Sequence, residues 1–299
     1  MATAGESKLH KRLKAAVLSA ARARGFNARM EVKGAGWRAD VVVASDLGTF
    51  AFEVQTTPQS LGVTLERQER YRASGVIGCW LFLNPVRYLS DERPDLPLFQ
   101  VVADPVNGAL VSLGDRRHVR LEDFVRAFVV GLIRFCDQAV SSRVQKVTAH
   151  FYEFSCWKCG LAHYPYSLDD SFTAACGAKA HTEENLWGSD RREFWPEVIE
   201  AVIRHMGQDD VVPLLVPTVK ERFSRAMNES YLSFGCHRCD SLFGDWFIHE
   251  AEIDVRYGYG IVAKAPLEVE LTSSITVPLP HWCYPENGSF CEADAEKPR

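Results

Sequence analysis

The chain has 299 residues, 46% hydrophobic and 24% charged, the balance of an ordinary globular protein long enough for two domains. Its net charge of −5 hides an asymmetry: residues 1–150 carry 21 Lys and Arg against 15 Asp and Glu, giving +6 and leaving −11 for the remainder. Surplus cations in the first half suit a polyanionic partner, although modest asymmetry is also common without one. The apolar run Ala15-Ala16-Val17-Leu18 is too short for a secretory signal. Residues 124–135, broken by Arg126 and Arg134, fall far short of a membrane span. The expectation is a cytoplasmic protein without membrane contact. Nine cysteines, an odd number with two CxxC pairs, argue for metal or free thiols over a disulfide framework.

Residues 6–24 read as an amphipathic helix, with Thr3 and Glu6 as a capping box and Gly25 as a stop. Leu9, Leu13, Ala16, Val17 and Ala20 share one face. Lys8, Lys11, Arg12, Arg22 and Arg24 form a basic remainder that is either solvated or in contact with phosphate. Residues 28–33 read as a strand carrying Glu31, either an exposed carboxylate or an accessory acid. Residues 37–43 and 50–55 are rich in β-branched and aromatic types and flank the turn Ser45-Asp46-Leu47-Gly48-Thr49, so they read as a hairpin. Pairing brings Asp40 beside Glu53, and alternation puts Gln55 on the face of Glu53. Two carboxylates and an amide oxygen at one sheet edge are hard donors suited to Mg²⁺ or Mn²⁺.

A helix follows to about Arg72, with Thr57 as cap, Pro58 in the first turn and Gly62 as a weak point. Thr64, Arg67, Gln68 and Tyr71 fall on one face, which is either ordinary polar surface or a phosphate-holding wall with Arg67 as a fork donor. Residues 78–83 read as a buried strand with Cys79 in the core. A hairpin is expected at 98–103 and 109–113 around Asn107-Gly108. A helix is expected over 121–135, burying Val125, Phe128, Val129 and Leu132, and the first domain closes near residue 140.

Arg38-Ala39-Asp40, Glu53-Val54-Gln55, Thr57 and the later Arg67-Gln68-Glu69-Arg70-Tyr71 resemble the core of PD-(D/E)xK nucleases. The nearest branch is the competence-protein CoiA-like nucleases, whose third catalytic position is Gln rather than Lys; Thr57 stands where Ser is usual. The resemblance covers roughly residues 6–135 and thins after about 85. It implies an α/β, restriction-endonuclease-like core, a mixed sheet flanked by helices. It implies Asp40, Glu53 and Gln55 as catalytic residues, with Asp40, Glu53 and the Val54 carbonyl on Mg²⁺ or Mn²⁺. Accessory places fall to Glu31, Arg67, Tyr71 and His10, although a lone His is commonly structural. Gln brings no charge where Lys would, so the metal or a neighbouring cation, Lys33 or Arg67, carries more.

Phe154-Ser155-Cys156-Trp157-Lys158-Cys159-Gly160 and Phe234-Gly235-Cys236-His237-Arg238-Cys239-Asp240 are built alike. Cys156, Cys159, Cys236 and Cys239 can surround a structural Zn²⁺ in a zinc-ribbon-like domain, with a redox pair as the rival reading. The long insert carries helix patterns at 193–206 and 218–227, broken by 211–217; residues 251–279 read as strands. The domains expected are 1–140, a nuclease domain; 141–290, a zinc-ribbon-like domain with a helical insert; and 291–299, a disordered tail. Cys176, Cys283 and Cys291 stay without a role, with Cys283 a substitute ligand at best.

The expected activity is metal-dependent hydrolysis of DNA, single- or double-stranded, in uptake and recombination or in defence against foreign DNA. The rivals are a nucleic-acid-binding protein with a degenerate nuclease fold, and a zinc-ribbon adaptor. The acidic second half is expected to contact protein partners or to form a homodimer.

Overall fold

The computed structural model describes residues 7–83, 93–104, 108–114, 117–181, 191–257, 259–285 and 289–291. The chain divides into two compact units. The first comprises Met1–Ala139, Ala175–Ala178 and Pro278–Arg299; the second comprises Val140–Ala174 and Lys179–Val277. Segments expected with the ribbon and the tail therefore group with the first unit. Of the expected tail, Cys291 is buried and residues 292–299 lie outside the described residues.

The first unit is mixed α/β, built on a seven-stranded sheet in sequential order. Helix α1 (Lys8–Ala23) precedes β1 (Asn27–Gly34), β2 (Trp37–Ser45) and β3 (Gly48–Gln55), which pair antiparallel. Helix α2 (Leu61–Ala73) then crosses over to β4 (Val76–Phe82), so β4 runs parallel to β3. Strand β5 (Leu98–Asp104) is parallel to β4, and β6 (Gly108–Ser112) and β7 (His118–Arg120) return antiparallel. The expected hairpin is present; of its turn, Asn107 lies outside the described residues. The expected capping residues Thr3 and Glu6 also lie outside them, and Ser7 caps α1, its hydroxyl accepting the His10 N–H at 3.2 Å. Helix α2 begins later than expected, capped by Ser60 rather than Thr57.

Two apolar layers sandwich the sheet. On one face Leu13, Val17 and Ala21 of α1 and Phe124, Val125 and Phe128 pack on Val41, Val43, Phe50, Phe52 and Val54. On the other, Tyr71 of α2 packs with Ala39, Val42, Ala51 and Trp80. The helix expected over 121–135 is shorter: α3 spans Leu121–Val129. Gly131 sits at φ 72°, and the chain re-enters as β8 (Arg134–Val140). Leu132, expected to be buried, is 39% exposed.

The second unit is a set of small sheets. Strand β9 (Val144–Tyr152) is followed by the short β10 (Phe154–Ser155), β11 (Ala162–His163), β12 (Tyr166–Leu168), β13 (Ser171–Thr173) and β14 (Lys179–His181). Helix α4 (Pro196–Met206) confirms the first insert helix. The second is a hairpin instead, β15 (Thr218–Ser224) paired with β16 (Glu229–Gly235) through Asn228 at φ 55°. Helix α5 (Asp245–Arg256) replaces the start of the strand region, which begins at β17 (Ile261–Glu270) and ends in β18 (Thr276–Cys283). Strand β17 pairs with β9, and the final residues of β18 belong to the first unit.

Candidate active site and cysteine centre

The sheet is irregular where the two expected acids stand. Paired residues of β1 and β2 run Met30↔Val41 and then Val32↔Ala39, passing over Glu31 and Asp40. Glu31 holds φ 53°, a left-handed conformation uncommon for a non-glycine residue in a strand. Across this point β2 switches faces: Ala39 belongs to the α2 layer and Val41 to the α1 layer. The β2–β3 ladder ends at Val41↔Phe52. The next rung is made by a side chain, Asp40 Oδ2 accepting the Val54 N–H at 2.9 Å.

Helix α1 supplies the groups around Asp40. His10 Nε2 lies 3.2 Å from Asp40 Oδ2, and Lys14 Nζ lies 3.6 Å from Oδ1. Lys14 is 1% exposed and also pairs with Glu31, which Arg38 grips from the other side. A buried ammonium persists only beside compensating anions, and Glu31 and Asp40 provide them. The Lys14 ammonium, assisted by Arg38, holds the Glu31 carboxyl below its ordinary value against the opposing effect of burial. Sequence reasoning missed Lys14. The signal was its position three and seven residues before Val17 and Ala21, on the apolar stripe rather than the basic face.

Helix α2 supplies the groups around Glu53, which is 2% exposed. Arg67 Nη2 lies 2.6 Å from Glu53 Oε1. The Tyr71 hydroxyl donates toward the same oxygen and lies 2.9 Å from the Arg38 carbonyl oxygen. Burial pushes the Glu53 carboxyl up to about 7; Arg67 and Tyr71 pull against that rise, and the charge of Asp40 adds to it. Burial and the Glu53 charge likewise push the Tyr71 phenol up. Arg67 stacks 4.6 Å over the Trp80 ring, and Trp80 Nε1 donates to Gln68 Oε1 at 2.8 Å. Gln55 closes β3 on the face of Glu53, half-buried, its carbonyl accepting the Leu83 N–H at 3.0 Å.

A cavity of about 440 Å³ opens beside these residues, lined by Lys33, Trp37, Arg38, Arg67, Arg70 and Tyr71 among others. Four cationic side chains and two aromatic rings in one wall favour an anionic ligand with planar groups. Of the expected accessory residues, His10 and Glu31 stand with Asp40, while Arg67 and Tyr71 stand on Glu53. Lys33 lines the cavity.

In the second unit, Cys156, Cys159, Cys236 and Cys239 place their sulfurs within 4.8 Å of one another. Two pairs cross between the knuckles, Cys156 to Cys239 at 3.6 Å and Cys159 to Cys236 at 3.5 Å. A tetrahedral Zn²⁺ with sulfurs at about 2.3 Å requires sulfur separations of about 3.8 Å. The knuckles share one backbone pattern. Gly160 N–H donates to Cys156 O and Asp240 N–H to Cys236 O, with Gly160 at φ 70° and Asp240 at φ 56°. The residue after each second cysteine must turn left-handed, which Gly and Asp tolerate best. Lys220 and Arg222 hold Asp240 in place. Cys283 is not a substitute ligand here: it lies in the first unit with Cys176, His281 and Cys291.

No helix among the described residues is long and apolar enough to cross a membrane. No curated protein matches the chain. Residues 6–101 match the family model of the nuclease-like domain of competence protein CoiA, and this CoiA-like stretch holds every residue of the acid site.

Proposed function

We propose that this protein is a metal-dependent nuclease that hydrolyses DNA phosphodiester bonds, with Asp40, Glu53 and Gln55 as its catalytic residues. The observation that carries the reading is that Asp40 and the nearly buried Glu53 meet where the β2–β3 ladder ends, Asp40 Oδ2 accepting the N–H of Val54, the residue next to Glu53. Two close carboxylates under partial desolvation favour a cation between them. Asp40, Glu53 and the Val54 carbonyl would hold Mg²⁺ or Mn²⁺. The donors fit: all are hard oxygens, and the carbonyl shares the strand side of the Val54 N–H that Asp40 engages, since both backbone groups of a strand residue face one neighbour. When bound, the ion supplies a water of lowered pKa and screens charge building on the phosphate.

The chain's own residues do the rest. Gln55 orients the attacking water through its amide oxygen. Arg67, with Nη2 on Glu53 and Nη1 on Gln59, brings its positive charge to a phosphate entering the basic cavity that it lines. Lys14 and His10 fix the carboxylate of Asp40, and Tyr71 fixes that of Glu53. The four-cysteine centre holds a structural Zn²⁺, and the acidic second half contributes contacts to protein partners or to a second copy. The likeness to a competence protein suggests a setting of DNA uptake and recombination, with defence against foreign DNA as the other setting of this chemistry.

A specific observation favours a second reading. Glu53 already has Arg67 and Tyr71 on one oxygen, so internal cations satisfy the acids in a domain that binds nucleic acid without cutting it. Labelled single-stranded and duplex DNA incubated with Mg²⁺, Mn²⁺ or EDTA separates the two. Metal-dependent cutting that disappears in Glu53→Ala supports the nuclease. Tight binding without cutting in either metal sinks it.

A further inference from the structure

We infer that the first unit holds a second structural Zn²⁺, bound by Cys176, His281, Cys283 and Cys291. Cys176 comes from residues 175–178, about a hundred positions before the segment that supplies His281, Cys283 and Cys291. The donor atoms of all four nevertheless lie within 4.8 Å of one another. Cys176, Cys283 and Cys291 are each about 1% exposed or less, and His281 is 9% exposed. Three thiols and an imidazole are a standard structural zinc set.

The surroundings are those of a built metal site rather than a chance cluster. His281 Nδ1 donates to the Leu279 carbonyl at 2.8 Å, which leaves the lone pair on Nε2. That nitrogen lies 3.4 Å from Cys176 Sγ, against about 3.6 Å for two ligands of a tetrahedral zinc. An outer hydrogen bond that fixes the tautomer is the usual mark of a ligating histidine. The Cys291 N–H lies 3.4 Å from Cys283 Sγ, a donor that favours thiolate. Three thiolates and a neutral imidazole on Zn²⁺ carry one net negative charge, and Arg117 stands beside them. Its Nη1 donates to the Cys176 carbonyl at 3.0 Å and lies 3.9 Å from Cys176 Sγ, while Nη2 donates to the Trp282 carbonyl at 3.0 Å.

The site does a specific structural job. Trp282, between two of the ligands, packs on Phe99 at 4.9 Å and on Phe135 at 5.7 Å between ring centroids. Both rings belong to the unit that carries Asp40 and Glu53. Zinc at this position fastens residues from the far end of the chain into the core of the nuclease-like unit. That unit therefore does not end near residue 140 in the folded protein.

Elemental analysis of the purified full-length chain tests this, and it does not depend on nuclease activity. Two zinc ions per chain are expected. Cys156→Ser and Cys176→Ser should each leave one, and the double variant none. His281→Ala should leave one, whereas His281→Cys, which restores four ligands, should keep two. Because a cysteine variant can misfold, the unaltered chain is also reconstituted with Co²⁺. Saturation at two equivalents, with distinct absorption from an all-thiolate centre and from one that includes an imidazole, supports the assignment. One zinc per chain, retained in Cys176→Ser and lost in Cys156→Ser, overturns it. A disulfide among Cys176, Cys283 and Cys291 in the freshly purified protein, found by peptide mapping, overturns it too.

Discussion

Lys14→Met is the sharpest probe of how the acid site is held. The side chain is 1% exposed and sits on the apolar stripe of α1, where Met fits with little change in volume. At an effective dielectric of about 20, an ammonium 3.6 Å from the nearer Asp40 oxygen gains about 4–5 kcal/mol of gross Coulomb energy. Burying the ammonium offsets much of that, and Glu31 is exposed enough to be partly screened. The net loss expected in Lys14→Met is about 1–3 kcal/mol, because Glu31 and Asp40 are left facing each other without their shared cation. Amide exchange in the folded protein reads this locally and avoids treating two units as one transition. Peptides covering β1 and β2 should exchange about 30-fold faster for a loss of about 2 kcal/mol. Adding Glu31→Gln should recover most of it, a coupling that a packing defect would not show. Unchanged exchange in Lys14→Met, or strict additivity with Glu31→Gln, would refute the claim that this lysine is held as a charge-compensating bridge.

Gly78→Ala tests the seating of α2 on the sheet. An added Cβ meets the Gln68 amide and comes 3.2 Å from the Tyr71 ring, so the folded unit should lose about 1–3 kcal/mol in urea titration, with cleavage falling alongside. Tyr71→Phe removes the hydroxyl that donates to Glu53 and should lower kcat about tenfold with little change in KM, measured on a short duplex. Gly160→Ala forces an alanine to φ 70°; it should cost about 1–2 kcal/mol and speed zinc loss to a chromogenic chelator. An Ala variant that keeps its zinc as long as the unaltered chain would contradict the shared knuckle geometry.

The hairpin from Trp37 to Gln55 and its crossover to β4 were legible because strand alternation and turn chemistry act locally. The two CxxC knuckles were legible for the same reason: each is a closed turn with its own backbone hydrogen bonds. Three elements were misread where a local stop was overridden or overlooked. Gly131 ended α3 and let residues 134–140 become a strand. Residues 218–224 have the apolar content of a helix face, but Asn228 in the left-handed region closes them into a hairpin. Residues 245–256 are helical, although the alternation from 251 onward suggested strand. The grouping of Cys176 with His281, Cys283 and Cys291 was hidden because the last three lack a CxxC spacing and Cys176 joins them only through tertiary structure. Lys14 was hidden by its type: a lysine in an apolar stripe reads as surface until its two anions are seen.

The face switch at Glu31 and Asp40 explains how two acids on adjacent strands acquire different environments. Had β2 alternated regularly from Trp37 to Ser45, Ala39 and Val41 would share one layer, and Asp40 would lie flat on the opposite one. Instead the left-handed Glu31 lifts the pair out of the ladder, and Asp40 turns to the Val54 N–H where β3 has lost its neighbour. Asp40 is then served by α1, through His10 and Lys14, and Glu53 by α2, through Arg67 and Tyr71. Each acid is fixed from its own side of the sheet, so neither helix alone can position both. The strain at Glu31, of order 1–3 kcal/mol for such a backbone, is therefore offset by the Lys14 and Arg38 pairs that the same residue makes. A residue that carries both the strain and its compensation belongs to the site's architecture, even though it is not among the proposed metal ligands.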